Sequence, residues 1–179
     1  MKEEIIIAGF GGQGILSMGK ILAYTGLMQG QEVSWMPSYG PEQRGGTCNV
    51  TVILSDERIS SPVLTTFDTA ILLNQPSLDK FESKIKSGGT LIYDGTGIHK
   101  FPTRTDIHIY QINATEYASA NDIKTTNMLI LGGLIKVREI ILAKNLLLGL
   151  EKTLPPRHQH LIPMNEKALE IGKNLIQKM

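Results

Sequence analysis

The sequence predicts an α/β protein with a doubly wound, mostly parallel sheet, a β-hairpin insertion and a helical C-terminal segment. Three observations carry this. Short β-branched runs alternate with helical stretches as far as Ile112, the order that winds helices around a parallel sheet. The first run, Ile5-Ile6-Ile7-Ala8, meets a helical pattern through a glycine-rich turn, Gly9-Phe10-Gly11-Gly12-Gln13-Gly14. After Ile112 the pattern is helical throughout. The 179 residues, 41% apolar and 20% charged, fit one soluble domain over 1-179 that can bury its own core.

The elements follow in order. A helix over Ile15 to Gln29 carries an apolar face. A second strand spans Glu32 to Met36 and is ended by Pro37, which has no N–H for a ladder. After a polar loop, Thr47 to Leu54 alternates as a strand; Ser55-Asp56-Glu57-Arg58 makes a hairpin turn and Ile59 begins the return. The near-continuous apolar run Thr69 to Leu73 is a strand buried on both faces. Pro76 sits in the first turn of a helix to about Lys86, stopped by Gly88-Gly89. Thr90 to Tyr93 and Ile107 to Ile112 complete the sheet. Thr115 caps a helix with Glu116 in its first turn. Thr126 or Asn127 caps the next, Met128 to Val137, apolar on nearly all sides and therefore buried. A helix over Lys144 to Thr153 stops at Pro155-Pro156. The last follows Pro163, capped by Asn165, with Ala168, Leu169, Gly172, Leu175, Ile176 and Met179 on one face.

Composition excludes several functions. The formal net charge is +1 and no Lys/Arg run stands out, so neither nucleic acid nor a membrane surface is an expected partner. No apolar stretch approaches the roughly 20 residues of a membrane span. Met1-Lys2-Glu3-Glu4 and its short apolar run do not read as a signal peptide, which points to the cytoplasm. The single cysteine, Cys48, permits no internal disulfide, and it excludes an iron–sulfur cluster or a cysteine-rich zinc site.

Two segments are candidate sites. In Gly9, Gly11 and Gly14 the turn has the G-x-G-x-x-G spacing of a Rossmann-like dinucleotide loop, with Gly12 and Gln13 between. That fingerprint needs an acidic residue at the carboxyl end of the second strand, and Met36-Pro37-Ser38 stands there. The turn therefore reads as a fold-imposed junction, or as N–H groups that hold another ligand's phosphate or a partner chain. The second segment, Tyr39 to Gly46, places Tyr39, Glu42, Gln43 and Arg44 beside Gly45 and Gly46. A guanidinium next to glycines suits an anion; an internal Glu42–Arg44 contact is the plain alternative. Cys48 reads as a small buried residue, and His158 and His160 as a solvated loop. Asp94-Gly95 follows a strand and caps local N–H groups or reaches the ligand edge. No catalytic residue set and no metal site is expected.

Together the two segments resemble the gamma subunit of 2-oxoacid:ferredoxin oxidoreductases, Gly9 to Gly14 followed by Pro37-Ser38-Tyr39-Gly40-Pro41-Glu42-Gln43-Arg44-Gly45-Gly46. Ser55-Asp56, Ser61-Pro62, Asn74-Gln75, Gly88 to Asp94 and Met128 to Gly133 are similar to that family too. The R-G-G-T form of the loop resembles the 2-oxoglutarate type. The resemblance implies an accessory chain of a complex that converts a 2-oxoacid, coenzyme A and oxidised ferredoxin to acyl-CoA, carbon dioxide and reduced ferredoxin. Thiamine diphosphate and magnesium lie between alpha and beta subunits, and 4Fe-4S clusters lie on beta and delta chains. Expected partners are the alpha, beta and delta subunits, with ferredoxin reached through the complex; the isolated chain is inactive and can form a homodimer. The glycine turn, Tyr39, Glu42, Gln43, Arg44, Gly45 and Gly46 are expected to contact coenzyme A or a partner subunit. Rival readings are the beta subunit of indolepyruvate ferredoxin oxidoreductase, a pyruvate or branched-chain oxoacid complex, a stand-alone nucleotide-binding module and a ligand-free interaction domain.

Overall fold

The structure, a computed structural model, describes residues 1–39 and 47–179, with Tyr39 described in its backbone alone. Seven strands form one sheet in the order β2-β3-β1-β4-β5-β6-β7. They are β1 (Lys2–Phe10), β2 (Glu32–Tyr39), β3 (Thr47–Ser55), β4 (Phe67–Leu72), β5 (Ile85–Asp94), β6 (His108–Ile112) and β7 (Gln177–Lys178). β1, β4, β5 and β6 run parallel; β3 is antiparallel to β1 and to β2, and β7 to β6. The helices are α1 (Ile15–Met28), α2 (Gln75–Phe81), α3 (Ala114–Ala120), α4 (Thr126–Val137), α5 (Ala143–Thr153) and α6 (Ile162–Leu175).

The apolar strand runs decide the layering. Residues alternate in direction along β1, so Ile5 and Ile7 enter one core and Ile6 and Ala8 the other. The first core joins Val50, Val52, Ile71 and Ile92 to α1, α4, α5 and α6. The second holds Ala70, Leu72, Leu91 and Tyr93 under α2, where Phe67 and Phe81 meet edge-to-face with centroids 6.0 Å apart. Helices thus cover both faces, as the sequence predicts, with most of them on one.

The hairpin differs from expectation. It is formed by β2 and β3, whose connection lies outside the described residues, rather than by β3 and a strand from Ile59. β3 already pairs with β1 and β2 on its two edges, which leaves no ladder for a return strand. Residues 56–66 have no regular secondary structure. β2 also continues through Pro37 to Tyr39; it is the sheet's edge, where a residue without N–H is tolerated.

Other boundaries move for local reasons. α2 ends at Phe81 and Gly88-Gly89 lies inside β5, where the β4–β5 register shifts. Gly88 has φ +75° there, which suits a bulge. Thr115 lies inside α3, and Asn113 precedes that helix. α4 starts at Thr126, preceded by Thr125. Asn165 does not cap α6: it lies within the helix, and its Nδ2 donates to the Leu161 carbonyl at 2.7 Å. Ile176 is extended and leads into β7, so Met179 leaves the α6 face and is exposed.

Candidate functional site at the carboxyl edge of the sheet

In a doubly wound sheet, ligands enter the crevice where neighbouring strands send their connections to opposite faces, outside the strands' carboxyl ends. Here that place lies between β1 and β4. The glycine turn leaves β1, and Leu73-Asn74 leaves β4. Gln13 spans the two. Its Oε1 accepts the Phe10 N–H at 2.6 Å, and its Nε2 donates to the Leu73 carbonyl at 3.5 Å. A side chain on Gly9 would strike this amide and stand 3.2 Å from Leu73 Cβ, so the first glycine serves a close approach. Gly14 has φ +77°, and a Cβ there would lie 3.2 Å from Asn127 Cβ on α4. The third glycine therefore brings the first turns of α1 and α4 together.

The loop residues Gly40 to Gly46, including Glu42, Gln43, Arg44, Gly45 and Gly46, lie outside the described residues. Their chain neighbours are placed: Tyr39 pairs with Cys48, Gly9 with Cys48, and Thr47 with Phe10. The segment thus leaves and rejoins the sheet at the level of the glycine turn. Along this edge β3 lies between β1 and β2.

Asp94, at the end of β5, is 1% exposed and fully engaged. Its Oδ1 accepts Thr96 N–H at 3.0 Å; Oδ2 accepts the Thr115 N–H at 2.9 Å and hydroxyl at 2.6 Å. Of its two expected roles it takes the capping one, tying α3 to β5. Asn74 does the same for α2, accepting Ser77 N–H at 2.9 Å, while its buried Nδ2 has no partner among the described residues.

Two adjoining depressions share Thr115. One, of about 410 Å³, lies between the first turns of α1 and α4 and is lined by Gly12, Gln13, Gly14, Lys124, Thr126 and Asn127 among others. The other, of about 800 Å³, lies over the ends of β5 and β6 beside Gly95, Gln111, Asn113 and Glu116. There the Tyr93 hydroxyl donates to Gln111 Oε1 at 2.8 Å, and burial pushes the phenol's pKa up. Amides, hydroxyls and one ammonium can bind and orient a ligand by hydrogen bonds. Sequence reasoning missed Lys124, and it read Thr126 and Asn127 as caps alone; nothing local links them to a turn more than 100 residues away.

Cys48 is buried in β3 and desolvation raises its pKa, so the thiol is not activated. His158 and His160 lie in a short 3-10 segment, Pro156–Leu161. Among the described residues no group of three or more His, Cys, Asp or Glu could hold a metal ion. No helix of the described residues is long and apolar enough to cross a membrane.

A family profile described as pyruvate ferredoxin/flavodoxin oxidoreductase matches residues 4–175. A ketoisovalerate oxidoreductase subunit VorA of Methanothermobacter thermautotrophicus is 53% identical over 93 residues, 52% of this chain and 20% of that protein. The chain thus spans about a fifth of that relative. A 2-oxoglutarate synthase subunit KorC of Methanocaldococcus jannaschii is 33% identical over 183 residues, covering 98% of this chain and 96% of the relative. Among solved structures, the gamma subunit of a keto/oxoacid ferredoxin oxidoreductase from Geobacter sulfurreducens superposes with TM-score 0.83 and 26% identity, over 98% of this chain and 96% of that one. A 2-oxoglutarate:ferredoxin oxidoreductase from Magnetococcus marinus, solved with 2-oxoglutarate, coenzyme A and succinyl-CoA bound, superposes with TM-score 0.85 and 26% identity, over 97% of this chain and 31% of that one.

Proposed function

The chain belongs to the pyruvate ferredoxin/flavodoxin oxidoreductase family, and on that premise we propose that it is the gamma-type accessory subunit of a 2-oxoacid:ferredoxin oxidoreductase. The carrying observation is its end-to-end correspondence with a 2-oxoglutarate synthase subunit, 98% of one chain on 96% of the other. The complex would decarboxylate a 2-oxoacid oxidatively, form acyl-CoA and pass electrons to ferredoxin. The chain's donor set does not fit an iron–sulfur cluster, because its one cysteine is buried in a strand. Thiamine diphosphate, magnesium and the clusters are assigned to the alpha, beta and delta partners, and the reaction's chemistry with them.

The part left to this chain is binding and positioning. Its carboxyl edge, from the glycine turn through Tyr39 and Arg44, faces coenzyme A or a partner subunit in this reading. The test uses the assembled complex. Arg44→Ala is expected to weaken assembly or raise the KM for coenzyme A; if neither moves, the role of this edge is abandoned. The chain alone is expected to show no turnover with 2-oxoacid, coenzyme A, thiamine diphosphate and an electron acceptor. Turnover by the isolated chain would sink the accessory reading.

The oxoacid favoured is 2-oxoglutarate, because relatives named for its synthase align over their whole length. The higher identity with ketoisovalerate subunits over part of the chain favours a branched-chain 2-oxoacid as second reading. The ratio of kcat/KM for the two acids in the purified complex decides between them.

A further inference from the structure

The geometry points to a docking surface on the α2 face of the sheet that takes an acid-rimmed apolar pocket of another chain; that this chain is a subunit of the complex rests on the reading above. The connection from β5 to β6 carries the surface. Ile98 and Ile107 bury its two ends in the second core. Between them the backbone is clamped twice onto α2 and the turn that follows it. Gln75 Oε1 accepts the N–H groups of His99 at 2.9 Å and Lys100 at 2.8 Å. Glu82 Oε1 accepts those of Thr103 at 2.7 Å and Arg104 at 3.0 Å. Phe101 stands between the clamps and is 64% exposed. A phenyl ring so far in water adds little to the stability of the fold, yet the backbone that presents it is fixed. Its ordering cost is already met, which suits it to fill a partner's pocket.

The unpaired charge around the ring has one sign. Lys80 and Lys84 hold their ammonium groups 5.2 and 5.5 Å from the centroid of the Phe81 ring, whose π face attracts both. These two and Lys100 make no ion pair among the described residues. The acids of the same segments are all engaged. Asp79 accepts the Gln75 amide at 2.9 Å, Glu82 accepts the two N–H groups, and Asp106 holds the Arg104 guanidinium. Free cations beside an exposed aromatic anchor are answered by carboxylates around an apolar pocket.

The same charge decides against a second copy of this chain. A twofold contact sets one surface against itself. Here it would bring lysine to lysine with no unengaged carboxylate to answer, which costs affinity. A different chain also completes the layering. The first core lies under four helices and the second under α2, a helix of seven residues, so a partner here thickens the thinner cover.

The experiment has two arms. In the first, the chain is titrated against the remaining subunits of the complex at low and high salt. Phe101→Ala should keep the wild-type urea midpoint and weaken association on the order of tenfold. The triple variant Lys80→Gln, Lys84→Gln, Lys100→Gln should associate several-fold more slowly and lose most of the salt dependence. Lys144→Gln, exposed on α5 over the other core, should leave both unchanged. In the second arm, a peptide of alternating Glu and Leu is titrated into the full chain alone and backbone amide shifts are followed. Saturable shifts are expected at Lys80, Lys84, Lys100 and Phe101, and the triple variant should lose them. Absent or scattered shifts, wild-type affinity in Phe101→Ala, or an equal loss in Lys144→Gln would overturn the surface. A homodimer that Phe101→Ala dissociates would overturn the partner in favour of a second copy. A wild-type chain that does not join the other subunits would strike the accessory reading instead, and the peptide arm then still judges the surface.

Discussion

Gly132 of α4 stands against Gly172 of α6: a Cβ built on Gly132 would come 3.1 Å from the Gly172 Cα. On Gly172 it would run into the Leu129 backbone. The two glycines let the helices touch at their backbones, which explains why every residue from Met128 to Leu134 is buried. Gly172→Ala is expected to cost about 3 kcal/mol, the upper end for overpacking, because a carbonyl cannot rotate away as a side chain can. Gly11→Ala, with nothing within 4 Å of the added methyl, should stay within about 0.5 kcal/mol. Urea unfolding of both variants checks the contrast.

Asp94 holds the base of the candidate site. Asp94→Ala removes the acceptor for Thr96 N–H and for both Thr115 donors. The expected loss is roughly 2 kcal/mol, since bonds to a charged acceptor outweigh neutral ones and an α3 end is left uncapped. Hydrogen exchange should rise first at the start of α3. Uniform exchange across the sheet would show that Asp94 has no local role.

At the opposite edge, Arg138 donates to Glu3 Oε2 at 2.5 Å, while Glu3 Oε1 accepts the Thr69 hydroxyl at 2.6 Å. Glu3 is 3% exposed, so removing its cation strands a buried carboxylate. Arg138→Met is expected to cost about 3 kcal/mol. Adding Glu3→Gln should recover much of it, and a double-mutant cycle measures the coupling.

Stability should be flat across neutral pH and fall on both sides. Burial alone would raise the Glu4 pKa, but the hydrogen bonds and charges of Lys2 and Lys86 hold it below its ordinary 4.5. The N-terminal ammonium lowers Asp56, and Arg104 lowers Asp106 from 3.8 to about 2. Depressed carboxylates stabilise the fold above their unfolded pKa and lose that contribution as pH falls through the folded value. The acid limb therefore runs from 4.5 down to about 2. Lys86 is also desolvated, but Asp68 and Glu4 raise it above 10.5, and burial raises Cys48 above 9.0. Raised groups contribute fully below their unfolded pKa and are lost as pH rises, so the alkaline limb begins near 9.0. Urea midpoints against pH should trace this plateau. Asp106→Asn should flatten the acid limb between 3.8 and about 2; an unchanged limb would count against the Arg104–Asp106 pair.

What the sequence determined by itself is local. Ile5 to Ala8 had to be buried on both faces because no polar residue interrupts them, and Gly9 to Gly14 had to be a strand-to-helix junction. Met128 to Leu134 had to be wrapped on all sides for the same reason. The paired motifs also carried the family, because their residue types and order are specific even where their structure lies outside the described residues. What only the tertiary structure decided is non-local. β3 inserts antiparallel between β1 and β2, a pairing that strand periodicity is blind to, since alternation gives a strand's faces but not its neighbours. That insertion moved the hairpin, let Pro37 stay in an edge strand and set the acid-free β2 end apart from β1. The cleft with Lys124, Thr126 and Asn127 arose likewise, from Gly14 meeting Asn127 across 113 positions of chain, a contact made by packing and written in no local pattern.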